Sequence, residues 1–227
     1  MENNHHPYII TIGRQLGSGG KQLGELLSRQ LAIPCYDREL ILIASRESGL
    51  CRDVFERADE KNSYSFSGGS MFSFRSGFFG DGTYNCLGNE SLFKIQSDII
   101  RRLAEEKSCI FVGRCADYIL REHPRLLRIF VSASMTDRVR RLATDMPLAG
   151  KAARTLAEQA DRKRADYYNY YSNKTWGAAT SYDICLNSSL LGMDEMAAFV
   201  SHVVSLKFGT EGAGQASTAP VSPDSAK

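Results

Sequence analysis

A short apolar strand, a glycine-rich turn and an amphipathic helix open this chain in that order. Residues 8–12 are apolar and rich in β-branched side chains, and apolar residues recur at a helical spacing over 21–31. The turn between them, the glycine loop (residues 13–21), contains four glycines, which let the backbone bend sharply and bring its N–H groups close to a ligand. Because the helix directs the positive end of its dipole at this loop, the order predicts an anion-binding loop in a parallel α/β domain.

The alternation of strands and helices continues along most of the chain. An extended segment over 33–37 and a helix over 38–48 follow the first helix. Apolar runs and helical spacing predict strands at 108–112, 127–131 and 182–186 and helices at 90–106, 116–121, 135–145, 150–170 and 193–207. We therefore predict one α/β domain over residues 8–207, a three-layer fold in which helices flank a parallel β-sheet.

Two segments depart from this pattern. Residues 61–90 hold six Gly, six Ser and seven aromatic residues, which is more rings than a flexible linker carries. Long loops in compact domains are often functional lids, so we predict a mobile insert that packs when a ligand binds. Residues 209–227 are rich in Gly, Ala, Ser and Pro, which predicts a disordered tail.

The overall charge and the cysteine spacing argue against several function classes. A formal net charge of +2 favours neither nucleic acid nor membrane partners. The N-terminus shows no signal-peptide pattern, and no apolar run approaches the ~20 residues of a membrane span. The six cysteines form no CxxC pair and no zinc spacing, so we predict no metal ligand set and a reducing, cytoplasmic location.

The glycine loop is similar to a phosphate-binding loop (P-loop), whose pattern is GxxxxGK followed by Ser or Thr. In this alignment Lys21 is the lysine that reaches the β- and γ-phosphates. Gln15 stands at the first glycine, and Gln22 replaces the residue whose hydroxyl holds Mg²⁺. The predicted cradle consists of Gly17, Ser18, Gly19, Gly20, Lys21 and Gln22. A glycine turn that only packs the helix on the strand is the alternative.

A dinucleotide site is a further alternative for the same loop. The loop glycines also spell GxxxGxG, Asp37 follows the second strand, and Tyr170 and Lys174 form a Tyr-x-x-x-Lys pair, as in short-chain dehydrogenases. However, no serine lies about a dozen residues before Tyr170, and no Asn-Ala-Gly-type segment follows a strand in the middle of the chain. An NAD(P)-binding protein is therefore the less favoured interpretation.

Arginines in the second half of the chain favour a phosphate ligand. Of the 28 basic residues 19 are arginines, and 12 of these lie between positions 101 and 164. Arg114 directly follows a predicted strand, at the edge of the sheet where ligands bind in parallel α/β folds. Arg162 and Arg164 belong to a dense basic cluster on a predicted helix, which is typical either of a solvated, ion-paired surface or of a lid that closes over a phosphoryl group.

Four segments together resemble the cytidylate kinase-like family, as a divergent branch of bacterial cytidylate kinase. The segments are TIGRQLGSGGKQLGELLSRQLAIPCYDRELI, FVGRCADYIL, RIFVSASMTDRVRRL and DRKRADYYNYY…WG…YDICLNSS, within residues 8–207. The resemblance implies a P-loop NTPase-type fold with a helical lid at about 150–176. It further implies ATP as phosphoryl donor, Mg²⁺ as its partner ion and a nucleoside monophosphate such as CMP or dCMP as acceptor.

The resemblance also implies roles for individual residues. Asp37 and Arg38 match a pair that lines the monophosphate pocket, and Arg114 matches an arginine that grips the monophosphate. Arg162 and Arg164 match arginines of the lid, so the catalytic candidates are Lys21, Arg114, Arg162 and Arg164.

Departures from the family pattern keep the acceptor open. The acids that cytidylate kinases carry on either side of Gly-Arg are Val112 and Cys115 here, and Lys163 replaces a sugar-contacting aspartate. A kinase with a non-nucleotide acceptor, and a catalytically weak nucleotide-binding regulator, therefore stay as alternatives. The sequence leaves the oligomeric state undetermined.

Overall fold

The computed structural model describes residues 7–37, 89–145 and 150–209, which contain one parallel five-stranded sheet. The strands are β1 (Ile9–Arg14), β2 (Cys35–Tyr36), β3 (Cys109–Val112), β4 (Leu126–Ser132) and β5 (Ile184–Asn187), in the order β2-β3-β1-β4-β5. The parallel α/β fold is therefore confirmed. The predicted helix at 38–48 with Arg38, nearly all of the insert at 61–90 and the tail beyond residue 209 lie outside the described residues.

The described ranges also contain six helices and a short 3₁₀ turn (Ala179–Ser181), and the last helix follows β5. The helices are α1 (Gly20–Leu31), α2 (Asn89–Glu106), α3 (Ala116–Ile119), α4 (Met135–Asp145), α5 (Gly150–Ser172) and α6 (Met193–Phe208). Across the described ranges, none of the helices is long and apolar enough to cross a membrane.

The sheet buries both of its faces, as strands that are apolar on successive residues require. One core cluster joins Ile10 and Ile12 of β1 to Leu23 and Leu27 of α1 and to Val200 of α6. The other cluster joins the intervening strand residues to α2, α3 and α5. Because side chains of a strand alternate between its faces, this division follows directly from the unbroken apolar runs in the sequence.

The carboxyl ends of β1 and β3 lie side by side. Ile12 is in register with Val112, and the amide of Gly113 donates a hydrogen bond of 3.0 Å to the Ile12 carbonyl. The glycine loop and Arg114 therefore start from the same edge of the sheet.

The order of the strands does not support the dehydrogenase alternative. Here β2 pairs with β3, whereas dinucleotide-binding folds place their second strand beside the first.

The glycine loop also packs against α4 and against α5, the helix of the predicted lid. Leu16 of the loop is buried in a cluster with Leu142 of α4 and with Ala153, Ala157 and Ala160 of α5. A row of alanines lets a helix approach a neighbouring backbone closely. The start of α5 is therefore an immediate neighbour of the glycine loop.

Asp117 of α3 is a largely buried carboxyl whose ionisation opposes folding. Burial raises its pKa above the ordinary value of 3.8, although its Oδ2 accepts a hydrogen bond of 2.8 Å from the Tyr168 hydroxyl. The native state then holds this proton more tightly than the unfolded chain, so the contribution of Asp117 to stability falls as the pH rises above that value.

We expect Asp117→Asn to remove this contribution to the pH dependence. The free energy of unfolding of the variant, relative to the unchanged protein, should increase as the pH is raised from about 4 to about 7. Urea unfolding at several pH values in this range measures the difference. A difference that stays constant with pH would contradict a raised pKa at Asp117.

Candidate active site

The glycine loop turns through two left-handed glycines into α1. Gly17 and Gly19 have φ angles of 75° and 82°, a conformation that only glycine adopts without strain. The first helical hydrogen bond runs from the Leu23 amide to the Gly19 carbonyl, at 2.9 Å. The amides of residues 20–22 precede this bond, so their N–H groups point out of the start of the helix. Such an arrangement of N–H groups attracts anions.

Five consecutive carbonyls of the glycine loop, from residue 14 to residue 18, accept hydrogen bonds from side chains. In the order of these carbonyls, the donors are Arg164 (3.0 Å), Ser18 (2.8 Å), Arg138 (2.7 Å), Arg141 (3.2 Å) and Ser188 (2.7 Å). The carbonyl oxygens of residues 14–18 thus point toward side-chain donors, three of which are positively charged arginines. This arrangement keeps the carbonyls away from a bound anion and fixes the conformation of the loop.

A buried ion pair fixes the middle of the glycine loop. Arg138 of α4 contacts Asp161 of α5, and their side chains are 5% and 14% exposed. Both partners also bind the same residue of the loop, since the Leu16 amide donates to Asp161 Oδ1 at 2.8 Å and Arg138 Nε donates to the Leu16 carbonyl at 2.7 Å. Three segments of the chain are therefore linked at one point beneath the loop.

Lys21 is the second residue of α1, and its side chain points toward the end of β2. Its Nζ lies 2.8 Å from Asp37 Oδ2, with side-chain exposures of 58% for Lys21 and 16% for Asp37. The structure thus brings together two predicted site residues, one assigned to the donor and one to the acceptor. Their roles in binding stay predictions.

Arg114 is held in place by side chains of α2 and α5. Its Nε donates to Gln96 Oε1 at 2.9 Å, its Nη2 contacts the same oxygen, and its Cζ lies 5.2 Å from the centre of the Tyr167 ring. The backbone at Gly113, Arg114 and Cys115 is left-handed, with φ angles of 80°, 63° and 56°. Non-glycine residues rarely adopt this conformation, and such strain concentrates at functional sites.

The two lid candidates on α5 differ in their surroundings. Arg162 is exposed, whereas Arg164 is largely buried and donates to the Arg14 carbonyl. Burial lowers the pKa of the Arg164 guanidinium, and the neighbouring Asp161 opposes this shift. Arg164 therefore supports the glycine loop from beneath, and Arg162 lies on the solvent-facing side of the helix.

Sequence reasoning missed most of the residues that fix the glycine loop. Arg138, Arg141 and Ser188 were not singled out, and Asp161 was noted only as part of a charged cluster. The one signal available was the segment RVRRL, which carries Arg138 and Arg141 three residues apart on one helix. Gln96 was also missed, because a lone glutamine on an amphipathic helix gives no signal of its own.

No set of residues among the described ranges forms a metal site on its own. No group of three or more His, Cys, Asp or Glu side chains within these ranges is placed to hold a metal ion. The Ser18 hydroxyl donates to the Gln15 carbonyl, which commits it to the loop. The thiol of Cys115 is neutral, because burial, assisted by the charge of Asp117, raises its pKa to about 12.

Comparison with known proteins agrees with this geometry. A family model described as the cytidylate kinase-like family matches residues 9–190. The chain belongs to the cytidylate kinase-like family. Membership of this family and the P-loop kinase fold support a phosphotransferase. No curated protein matches the chain.

Solved structures show the same fold at low sequence identity. An uncharacterized protein from Eubacterium ventriosum ATCC 27560 matches with a TM-score of 0.66 and 23% identity, over 87% of this chain and 98% of that one. TT1252 from Thermus thermophilus matches with a TM-score of 0.51 and 20% identity, over 88% and 98% of the two chains. Shikimate kinase from Bacteroides thetaiotaomicron matches with a TM-score of 0.50 and 13% identity, over 87% and 98%. At these identities the likeness concerns the fold alone.

Proposed function

We propose that this member of the cytidylate kinase-like family transfers the γ-phosphoryl group of ATP to the phosphate of a nucleoside monophosphate of the CMP or dCMP type. The observation that carries the proposal is the glycine loop, in which five successive carbonyls are paired with donors while the amides at the start of α1 point outward. A loop fixed in this way needs little reorganisation to bind a polyphosphate, and preorganised donors are the main source of catalysis in phosphoryl transfer.

Arg114 supports a phosphate-bearing acceptor on the other side of the site. It follows β3, next to the strand that leads into the glycine loop, so an acceptor phosphate bound there would lie close to the donor. Gln96 Nε2, beside Arg114, is buried and has no hydrogen-bond partner among the described residues. An oxygen of a bound acceptor would satisfy this donor, since buried polar groups are normally paired.

The reaction is an in-line displacement. An acceptor phosphate oxygen forms a bond to the γ-phosphorus, the bond from this phosphorus to the bridging oxygen breaks, and its electron pair leaves with ADP. A phosphate monoester is largely ionised at neutral pH, so no strong general base is needed. The protein therefore contributes positioning and charge neutralisation, for which Arg114, Arg162 and Lys21 are the candidates.

Mg²⁺ would be held by the nucleotide and water rather than by a protein carboxylate cluster. Gln22 carries no hydroxyl and the Ser18 hydroxyl is bonded within the loop, which fits an ion carried by the triphosphate. When bound, the ion would neutralise charge on the β- and γ-phosphates.

A kinase with a non-nucleotide acceptor is the second candidate. Val112 and Cys115 are buried at positions where cytidylate kinases carry acids beside the Gly-Arg pair. The side chains that would read a base or sugar are thus replaced, while Arg114 is kept. This pattern fits a small phosphorylated acceptor as well as a nucleotide.

Ligand-dependent melting tests the proposal. ATP with Mg²⁺ should raise the melting temperature, since a ligand present at 100 times its Kd stabilises the native state by about 2.7 kcal/mol. CMP or dCMP should add a further increase, and ADP release should depend on the acceptor.

Other outcomes would favour the alternatives. Stabilisation by NADPH but not by ATP would refute the proposal. Binding of ATP with turnover only on a non-nucleotide acceptor would favour the second candidate, and binding without turnover on any acceptor of a panel would indicate a regulator.

A further inference from the structure

Arg14, the last residue of β1, lies between the donor and acceptor parts of the site. Its side chain passes over Gly20, where an added Cβ would lie 2.5 Å from Arg14 Cβ and 3.0 Å from Arg14 Cγ. Its guanidinium lies against Gly113, where an added Cβ would collide with Nη1 and lie 2.8 Å from Cζ. The side chain therefore extends from the first residue of α1 to the residue that precedes Arg114.

Lys21 is directed elsewhere. Its ion pair with Asp37 places the ammonium group at the end of β2, and β3 separates β2 from β1 in the sheet. The ammonium group of Lys21 therefore lies at the end of β2, whereas the Arg14 guanidinium lies against Gly113 at the end of β3. Asp37 also compensates its charge at close range.

The P-loop pattern can be aligned in a second way once the start of α1 is known. The pattern places its lysine directly after the last glycine of the turn. Gly19 is the left-handed residue that caps α1, and Gly20 is the first residue of the helix. Gly20 then occupies the lysine position, and Arg14 occupies the first glycine position. Relative to the pattern, a glycine stands at the lysine position and a cationic residue stands at the first glycine position. The two differences are in contact, because the Arg14 side chain passes over Gly20.

We propose that Arg14, rather than Lys21, binds the γ-phosphoryl group of ATP as it moves to the acceptor. This inference rests on the proposed function. Arg14 forms no covalent bond in the step; its planar guanidinium donates hydrogen bonds to equatorial oxygens of the moving group. Because β1 and β3 are adjacent and the Arg14 guanidinium lies against Gly113, Arg14 borders both the glycine loop and the residue that precedes Arg114, which is the position that a group moving between donor and acceptor requires.

Calorimetric titration with Mg-ATP and with Mg-ADP distinguishes the two cations without knowledge of the acceptor. Arg14→Met keeps the stem over Gly20 and removes the charge, so ATP affinity should fall about 10- to 100-fold and ADP affinity much less, since ADP lacks the γ-phosphate. Lys21→Met should weaken ATP binding less than Arg14→Met. Arg29→Met, an exposed change in the last turn of α1, is the matched control and should leave both affinities unchanged.

An exchange of the two residues gives an independent test. Arg14→Gly should lose ATP affinity, and the double variant Arg14→Gly/Gly20→Lys should recover most of it, because a lysine at position 20 has space only when the Arg14 stem is gone. Gly20→Lys alone should lower the melting temperature. This exchange decides the question even if Arg14→Met does not fold.

The outcomes separate the inference from the proposed function. If the unchanged protein fails to bind ATP, both are refuted. Suppose that the unchanged protein binds ATP, that Arg14→Met binds ATP equally well, and that Lys21→Met does not. The proposed function would then stand, and the assignment of Arg14 would be wrong. Failure of the exchange variant to regain affinity, with its melting temperature maintained, would likewise refute the assignment.

Discussion

Replacing Arg114 with methionine is expected to lower kcat/KM by about 10²- to 10⁵-fold, the range found when a positioned arginine or hydrogen-bond donor is removed from a transfer site. The effect should be large because Gln96 and Tyr167 hold the guanidinium in one place, so no rearrangement of the site is needed to use its charge. Affinity for ATP alone should change little, since Arg114 lies on the acceptor side. Initial rates at varied ATP and varied acceptor, with a separate titration of ATP, measure these quantities.

A nearby arginine provides the control for this prediction. Arg121 is exposed just beyond α3, where it stacks on Tyr118 and pairs with Glu122. Arg121→Met removes the same charge from the same region and should leave kcat/KM unchanged. An equal loss in both variants would mean that net charge rather than position matters. A loss of ATP affinity as large as the loss of kcat/KM would place Arg114 on the donor side instead.

The elements of the fold were predictable because their signals are local. The strand before the glycine loop is apolar on successive residues, and α1 carries apolar residues at a helical spacing, so neither needs a distant contact to be recognised. The two elements were expected at 8–12 and 21–31, and they occupy Ile9–Arg14 and Gly20–Leu31. The differences at their ends are the usual effect of fraying and capping.

The glycine loop was recognised, but its register was not fixed by sequence. The glycine pattern allows the lysine position to fall on Lys21 or on Gly20, and only the left-handed cap at Gly19 shows which residue starts the helix. Which cation reaches the loop then depends on tertiary packing. Asp37, at the end of β2, attracts Lys21, and the space above Gly20 admits Arg14.

The residues beneath the loop were not predictable for a different reason. Arg138, Arg141 and Arg164 contact loop carbonyls that lie more than 120 residues earlier in the chain. In sequence each is one of many arginines on a polar helix face, for which a solvated surface is the ordinary interpretation. Only the packing of α4 and α5 against Leu16 selects these three and not their neighbours.

Removal of the buried ion pair beneath the loop should have the largest effect on stability. We expect Arg138→Met to lower the free energy of unfolding by about 3 kcal/mol, because Asp161 loses its closest cation in a largely buried place, although the Arg164 guanidinium stays 3.9 Å away, and the Leu16 carbonyl loses its charged donor. Urea unfolding of the unliganded protein measures this change. Arg154→Met breaks the exposed pair with Glu158 on α5 and should cost about 0.5 kcal/mol or less, which makes it the matched control.

A double-mutant cycle then separates the pair from the loop. Asp161→Asn keeps an oxygen for the Leu16 amide and removes the charge, so adding it to Arg138→Met should cost much less than it costs in the unchanged protein. If the two changes were simply additive, the residues would act independently and the pair would not be the unit that fixes the loop.

The same pair holds the amide and the carbonyl of Leu16. The single variants should therefore also bind Mg-ATP more weakly at a temperature where they are fully folded. Unchanged ATP affinity in a destabilised Arg138→Met would show that the nucleotide does not require this conformation of the glycine loop.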